Sequence, residues 1–191
     1  MKNQKELKEL YRKNLELAWD DPKMVDYCSK QAEIVVETED GYLLEIEKQS
    51  IKKDFCFGYG MYLNSTEEEE KFADDNAHNA RTNEKYFIRE NLKYYDEWIK
   101  EIEENGAYVS IIGHYTGQTK DCKLQFFTSG RGSWGRTPMD QPETYKKLNE
   151  EDTKNLINAF KQGKENMIKR LQTYLKKFGL SKLNVWTYLR D

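Results

Sequence analysis

The two histidines are the first residues whose types could do chemistry. His114 lies in Gly113-His-Tyr-Thr116 on a predicted strand, and His78 lies in His-Asn-Ala on a predicted helix. Two His-x-Thr/Ser elements would indicate a phosphoesterase that uses its histidines as general acid and base. The segment at His78 lacks the hydroxyl residue, so the pattern favours a hydrogen-bonded structural role for His114. A two-histidine or metal-dependent hydrolase stays open, because scattered carboxylates can bind metal without a local motif.

A glycine-rich segment, Thr128–Pro138, carries the residues best suited to binding. It places Arg131, Trp134 and Arg136 among three glycines. Glycine lets a backbone approach a partner, arginine binds phosphate or carboxylate, and tryptophan stacks on bases or fills a pocket. We expect this segment to be a partner-binding loop, with Lys120 and Lys123 adding positive charge from the preceding hairpin. The alternative is a structural loop whose tryptophan covers the core.

An acidic segment offers a second candidate contact surface through Glu67, Glu68, Glu70 and Asp74. Carboxylates can imitate nucleic-acid phosphates in a basic groove. Consecutive residues spread around a helix, however, so the Glu67–Glu70 run is also what stabilises the positive end of a helix dipole. The wider distribution is uneven: residues 31–75 hold 13 acidic and 4 basic residues, whereas residues 161–191 hold 8 basic and 2 acidic ones.

Neither a cofactor nor a metal site is predicted. No phosphate-binding, dinucleotide-binding, serine-nucleophile or zinc-protease motif occurs in the sequence. Cys28, Cys56 and Cys122 are odd in number and far apart, which is typical of reduced, partly buried thiols in a cytoplasmic protein. No apolar run is long enough to cross a membrane, and the polar N-terminus has no secretory signal.

Periodicity predicts the elements that must position these residues. The first helix is expected at 4–19, with Leu7, Leu10, Tyr11, Leu17 and Trp19 near one inward face. Further helices are expected from Pro22, from Ser65 or Thr66 to about Ala80, and over 82–104, where Trp98 widens the apolar seam. The last helix is expected from Asn149 to Gly179, with a buried stripe that includes Ile157, Phe160 and Met167 or Ile168. Hairpins are expected at 33–48 and between 107 and 128, followed by a long loop over 129–147 and a strand from Leu183 to Leu189.

This order of elements predicts an α+β fold. Strands and helices do not alternate strictly, so we expect a mainly antiparallel sheet, built from two hairpins and a C-terminal strand, packed against several helices. The length of 191 residues favours a single domain over 1–191, with residues 1–31 as a candidate helical appendage. A homodimer stays open, because the apolar seam of helix 82–104 suits a dimer as well as a core.

Two segments carry a resemblance to known proteins. Ile51–Tyr59 and Tyr174–Tyr188 resemble small accessory proteins of bacterial phages and mobile elements, among which are inhibitors of host defence of the anti-CRISPR type. The resemblance implies a non-enzymatic protein that occupies a surface of a protein or ribonucleoprotein partner in the host cytoplasm. It assigns no functional residues.

The working hypothesis is therefore a defence inhibitor that binds through Arg131, Trp134 and Arg136. The alternative from a different class is a direct RNA or single-stranded DNA binder that uses the basic C-terminal helix and the glycine-rich loop. That alternative predicts steep salt dependence, because each neutralised phosphate releases counterions. The net charge of −3 counts against it.

Overall fold

A computed structural model describes residues 2–49, 84–111, 121–131 and 142–177. The predicted helix ending near Ala80 and the predicted strand from Leu183 to Leu189 lie outside these residues. So do His78, His114, Lys120, Trp134, Arg136 and the acidic residues Glu67, Glu68, Glu70 and Asp74. Arg131 and Lys123 are the members of the predicted binding set that the structure places.

Two short helices open the chain. Helix α1 spans Gln4–Ala18 and begins with a capping box, in which the Asn3 side chain accepts from the Glu6 backbone N–H and the Glu6 carboxylate accepts from the Asn3 N–H. Helix α2 spans Pro22–Gln31, with Asp21 as N-cap and proline in its first turn. The sequence predicted both starts, since caps and proline are local signals.

The inward face of α1 differs from the prediction at one position. Leu17 is 45% exposed, whereas Leu15 is fully buried. The buried positions Leu7, Tyr11 and Leu15 are four residues apart, which keeps them on one face, and Leu17 falls two residues beyond that stripe. The prediction for Leu17 was therefore wrong.

The first sheet is the expected hairpin. Strands β1, Ala32–Glu37, and β2, Leu43–Glu47, pair antiparallel around a turn in which Gly41 has a φ of +82°. Val35 and Leu43 join the core formed by α1 and α2. Ile34, Val36, Leu44 and Ile46 are buried as well, so both faces of the hairpin are covered.

The segment Cys122–Gln125 lies against this hairpin. Leu43 donates to the Lys123 carbonyl at 2.7 Å, and Leu124 forms a parallel bridge with Leu43. The buried side chain of Asn14 accepts from the Lys123 N–H at 2.6 Å. Cys122 and Leu124 thereby enter the α1 core, while the Lys123 side chain stays exposed.

The second sheet follows a long helix. Helix α3 spans Glu84–Asn105 and ends at Gly106, whose φ of +78° suits a left-handed helix C-terminus. Strands β3, Ala107–Ser110, β4, Phe127–Ser129, and β5, Tyr145–Lys147, form an antiparallel sheet in the order β4-β3-β5. A 3₁₀ turn at Pro142–Thr144 leads into β5.

The prediction of a loop over all of 129–147 was therefore wrong at β5. A three-residue strand holding two lysines has no readable alternation of polar and apolar residues. Its place in the sheet comes from backbone hydrogen bonds to β3, which the sequence pattern does not encode.

Helix α4 spans Glu150–Lys177. Asn149 caps it by accepting from the Asp152 N–H at 2.7 Å, as predicted. The buried stripe includes Phe160 and Met167, but Leu156, rather than the half-buried Ile157, is its fully buried member in the first turns. Within the described residues, none of the helices has an apolar stretch of the length that a bilayer crossing requires.

The fold is α+β, with helices beside small antiparallel sheets, as the sequence predicted. The chain divides into two compact units. One holds the described residues of Met1–Lys48 and Glu97–Gly163, and the other those of Gln49–Asp96 and Lys164–Asp191. Both sheets belong to the first unit.

Candidate partner-binding groove

Arg131 lies at the end of β4, where a glycine lets the chain pass close to α3. A Cβ atom on Gly130 would stand 2.6 Å from the Asn105 carbonyl oxygen and 2.8 Å from the Asn105 Cβ. Both distances are shorter than side chains tolerate, so only glycine fits between the strand and the C-terminus of α3. The close approach brings the next residue, Arg131, beside the last turns of that helix.

Two carboxylates of α3 hold the Arg131 guanidinium. Its Nη1 donates to Glu101 Oε1 at 2.9 Å, and its Nη2 is 3.6 Å from Glu104 Oε2. The Arg131 side chain remains 66% exposed, so its contribution to folding stability is small. The ion pairs fix the direction of the guanidinium and leave part of it open to solvent.

Arg131 forms one wall of a surface groove of about 490 Å³. The groove is lined by Glu97, Trp98, Lys100, Glu101, Ser129 and Arg131. The Trp98 ring stacks on Phe160 with ring centroids 6.0 Å apart and meets Phe127 edge-on at 5.4 Å. These ring contacts fix the indole, so it presents a rigid apolar surface between charged walls.

The charges along the groove are of both signs. Glu97 and Glu101 lie one turn apart on α3, and Lys100 pairs with Glu104 at 3.7 Å. A phosphate entering this groove would meet Glu97 and Glu101 as well as Arg131. A protein surface of mixed charge around an apolar side chain is the better complement.

Lys123 does not line this groove. The Lys123 N–H donates to Asn14 on α1, which fixes the Lys123 backbone beside that helix. Its exposed side chain therefore extends from the part of the unit that contains α1. The sequence suggested that Lys123 would reinforce the arginines if it faced the same way. Residues 124–126 and strand β4 separate the two positions along the chain.

Trp98 is the groove residue that sequence reasoning placed differently. Its spacing from Tyr95 and Ile102 suggested a residue that widens the apolar seam of the helix. The structure bears out the packing and adds an exposed edge, since Trp98 is half-buried. The sequence did contain a signal for this exposed edge. Trp98 lies between Glu97 and Lys100, so it stands where the apolar stripe of the helix meets the charged face.

Three groups with displaced pKa values, Glu45, Cys28 and Cys122, lie beside α1 and do not line the groove. Burial raises the pKa of Glu45, although the Tyr11 hydroxyl donates to its carboxylate. Burial also raises the pKa of the Cys28 and Cys122 thiols, which keeps them protonated and poorly nucleophilic at neutral pH. Both thiols are free.

The described ranges contain no cluster of three or more histidine, cysteine or acidic side chains that could hold a metal ion. Comparison with known proteins gives no match of any kind: no family model, no curated protein and no solved structure is significantly similar to the chain.

Proposed function

We propose that this chain is a non-enzymatic binding protein of a phage or mobile element that inhibits a host defence complex of the kind anti-CRISPR proteins act on. It would do so by occupying a protein or ribonucleoprotein surface. The groove formed by Trp98 and Arg131 is the contact surface within the described residues. The predicted contacts Trp134 and Arg136 follow Arg131 directly along the chain and would extend it.

The observation that carries the proposal is that Arg131, paired with two glutamates, lines the same groove as a packed tryptophan, Trp98. Tryptophan and arginine are the residues most enriched among those that dominate binding energy. Here the indole is held by Phe127 and Phe160, and the guanidinium by Glu101 and Glu104. Side chains already held in place lose little conformational entropy when a partner binds.

Charge favours a protein contact over direct nucleic-acid binding. Non-specific binding to RNA or single-stranded DNA needs a basic path along the phosphates. Among the described residues, the carboxylates of Glu97, Glu101 and Glu104 stand beside Arg131, the arginine that lines the groove. An acceptor carboxylate on a protein partner could share Arg131 with Glu101, whereas a run of phosphates would be repelled.

A phage-plating assay tests the proposal. Bacteria with and without a defence system express the chain, and phage plating efficiency is compared between them. The chain should raise plating only on defended cells, and Arg131→Ala should abolish most of that rise, because loss of the guanidinium should weaken partner binding by about tenfold, or about 1.4 kcal/mol.

Arg12→Ala is the matched control. Arg12 is also an exposed arginine of the same unit, and it pairs with Asp26 at 2.6 Å and with Glu16. The control variant should protect phage as well as the parent chain does. Equal loss in both variants, or no rise in plating with any defence system tested, would overturn the proposed function.

A further inference from the structure

Strand β5 forms an outer edge of the second sheet, and its register shows which backbone groups point outward. Ile111 donates to the Thr144 carbonyl and Leu148 donates to the Ala107 carbonyl, both at 2.9 Å. Thr144, Lys146 and Leu148 therefore face β3, because alternate residues of a strand bond to the same neighbour. The N–H and C=O groups of Tyr145 and Lys147 point away from the sheet.

These outward groups have no hydrogen-bond partner in the part of the chain that the structure describes, and Lys147 is exposed. The free edge of β1 is treated differently. There the Gln4 side chain accepts from the Val35 N–H at 3.1 Å and donates to the Val35 carbonyl at 2.8 Å. Within the described residues, the Gln4 amide therefore occupies the hydrogen-bonding groups at the β1 edge, and no comparable group occupies those at the β5 edge.

The side chains at the open edge carry a fixed positive charge. The Lys147 ammonium lies over the Tyr108 ring, 6.0 Å from the ring centroid. The Lys147 side chain also passes close to Gly106, since its Cε would be 3.1 Å from a Cβ atom added to that glycine. No carboxylate pairs with Lys147 among the described residues. Lys146 points to the other face of the sheet and is neutralised by Asp40.

We propose that the β5 edge binds an extended acidic peptide segment of a partner protein by strand addition. The residue opposite Lys147 would be acidic, and the residue opposite Tyr145 would be β-branched or aromatic, since these pairs share one face of the sheet. In an antiparallel partner strand the acidic residue comes first, which gives the order acidic-x-apolar. The residue between them lies on the face of Lys146.

A second copy of this chain fits the edge less well. Antiparallel pairing of two β5 strands over their full length, with the twofold axis at Lys146, would place Lys146 opposite Lys146 and Tyr145, not a carboxylate, opposite Lys147. Like charges directly opposite each other weaken a strand pair. An acidic strand from another protein instead supplies the missing counter-charge.

The test uses the purified full-length chain labelled with ¹⁵N. The probe is a blocked octapeptide, Thr-Thr-Glu-Thr-Ile-Thr-Thr-Ser, and its matched control carries Lys in place of Glu. The Glu peptide should shift the amide signals of Tyr145 and Lys147 and bind at least about tenfold more tightly than the Lys peptide. Lys147→Gln should remove that preference, whereas Lys161→Gln, at an exposed lysine on α4, should keep it.

A proline variant tests the backbone contribution. Lys147→Pro deletes an outward N–H without deleting a bond to β3, and it also removes the ammonium that Lys147→Gln removes. It should therefore weaken binding of the Glu peptide by about tenfold or more beyond the loss seen with Lys147→Gln. Circular dichroism checks that this variant folds, and Lys147→Gln carries the test if it does not. Equal binding of both peptides, shifts at Arg131 instead of β5, or no shift at about 1 mM peptide would overturn the inference.

This inference stands apart from the proposed function. The peptide titration needs only the purified chain and leaves Arg131 intact, whereas the plating assay depends on Arg131 and not on β5. A negative result in one experiment therefore overturns only the proposal that it tests, and the other proposal depends on its own experiment.

Discussion

At the scale of single residues, the Tyr11–Glu45 contact is the most informative buried pair. Tyr11 is only 2% exposed, and its hydroxyl donates to the Glu45 carboxylate on the core side of the hairpin. Burial raises the pKa of Glu45, and the neighbouring charge of Glu47 raises it further. A glutamate in this position is more costly to ionise in the folded chain than in the unfolded one.

The direction of that pKa shift predicts a pH dependence. Because the folded state holds the Glu45 proton more tightly, its contribution to stability is complete below the ordinary glutamate pKa. It is lost as the pH rises through the raised pKa of the folded state. Glu45→Gln, which keeps an acceptor for Tyr11, should therefore raise the melting temperature at pH 7 and have less effect at pH 4. Thermal unfolding across this range checks it, and an equal effect at both pH values would contradict it.

Removing the donor should act in the opposite direction. Tyr11→Phe leaves a buried carboxylate without its hydroxyl partner, which should cost about 1–3 kcal/mol of unfolding free energy at pH 7. The cost should shrink at acid pH, where Glu45 is protonated. Urea unfolding of both proteins at the two pH values measures it. A cost independent of pH would show that the lost hydroxyl stabilises the neutral and the charged carboxyl equally, which would contradict the role given to the charge of Glu45.

Arg131 should behave differently from these buried residues. The double variant Arg131→Ala with Trp134→Ala should abolish partner binding and leave the melting temperature nearly unchanged, since exposed ion pairs contribute about 0–1 kcal/mol. Differential scanning calorimetry provides the stability, and a binding assay with the captured partner provides the function. A large fall in the melting temperature would instead indicate that Trp134 covers the core, which is the alternative role predicted for it from the sequence.

At the scale of elements, glycine determines where the groove can form. Gly130→Ala should destabilise the chain by about 1–3 kcal/mol, because its Cβ would collide with the Asn105 backbone. Gly41→Ala is the control: no atom lies within 4 Å of its Cβ, so it should cost only the strain of a positive φ, about 1–2 kcal/mol. A loss at Gly130 of less than about 1 kcal/mol would contradict the close approach.

The elements also show what the sequence could predict. The sequence predicted helix starts at residue 4, at Pro22 and at Asn149, and the structure adds that Asn3 and Asp21 cap the first two helices as Asn149 caps α4. The first hairpin followed from β-branched residues around Gly41. Strand β5 and the pairing of Cys122–Gln125 with β2 did not follow, because both depend on distant backbone groups rather than on local pattern.

The same distinction applies to the candidate site. The composition of the loop identified Arg131, but nothing in the sequence indicated that Glu101 and Glu104, about thirty residues earlier, would hold its guanidinium. Trp98 was interpreted only as a core residue. The groove depends on Gly130, which lets the chain after β4 approach the C-terminus of α3, a contact between residues distant in sequence.

At the scale of the whole molecule, the α+β class is confirmed, and inhibition of a host defence complex is the proposed function. The two binding surfaces differ in kind, since the groove offers rigid side chains and the β5 edge offers backbone groups. Both lie in the compact unit that contains the two sheets. A partner bound mainly through these surfaces should resist salt far better than one held by phosphate contacts, whose affinity falls steeply as salt rises.

Capture from host lysate at low and high salt tests the central claim most directly. The tagged parent chain, Arg12→Ala, and the double variant Arg131→Ala with Trp134→Ala are compared, with mass spectrometry and nucleic-acid staining of each eluate. The account predicts a stoichiometric component of a defence complex that survives high salt with the parent chain and Arg12→Ala and is absent with the double variant. The account would be contradicted if all three proteins captured only nucleic acid, in equal amounts at low salt, and lost it at high salt.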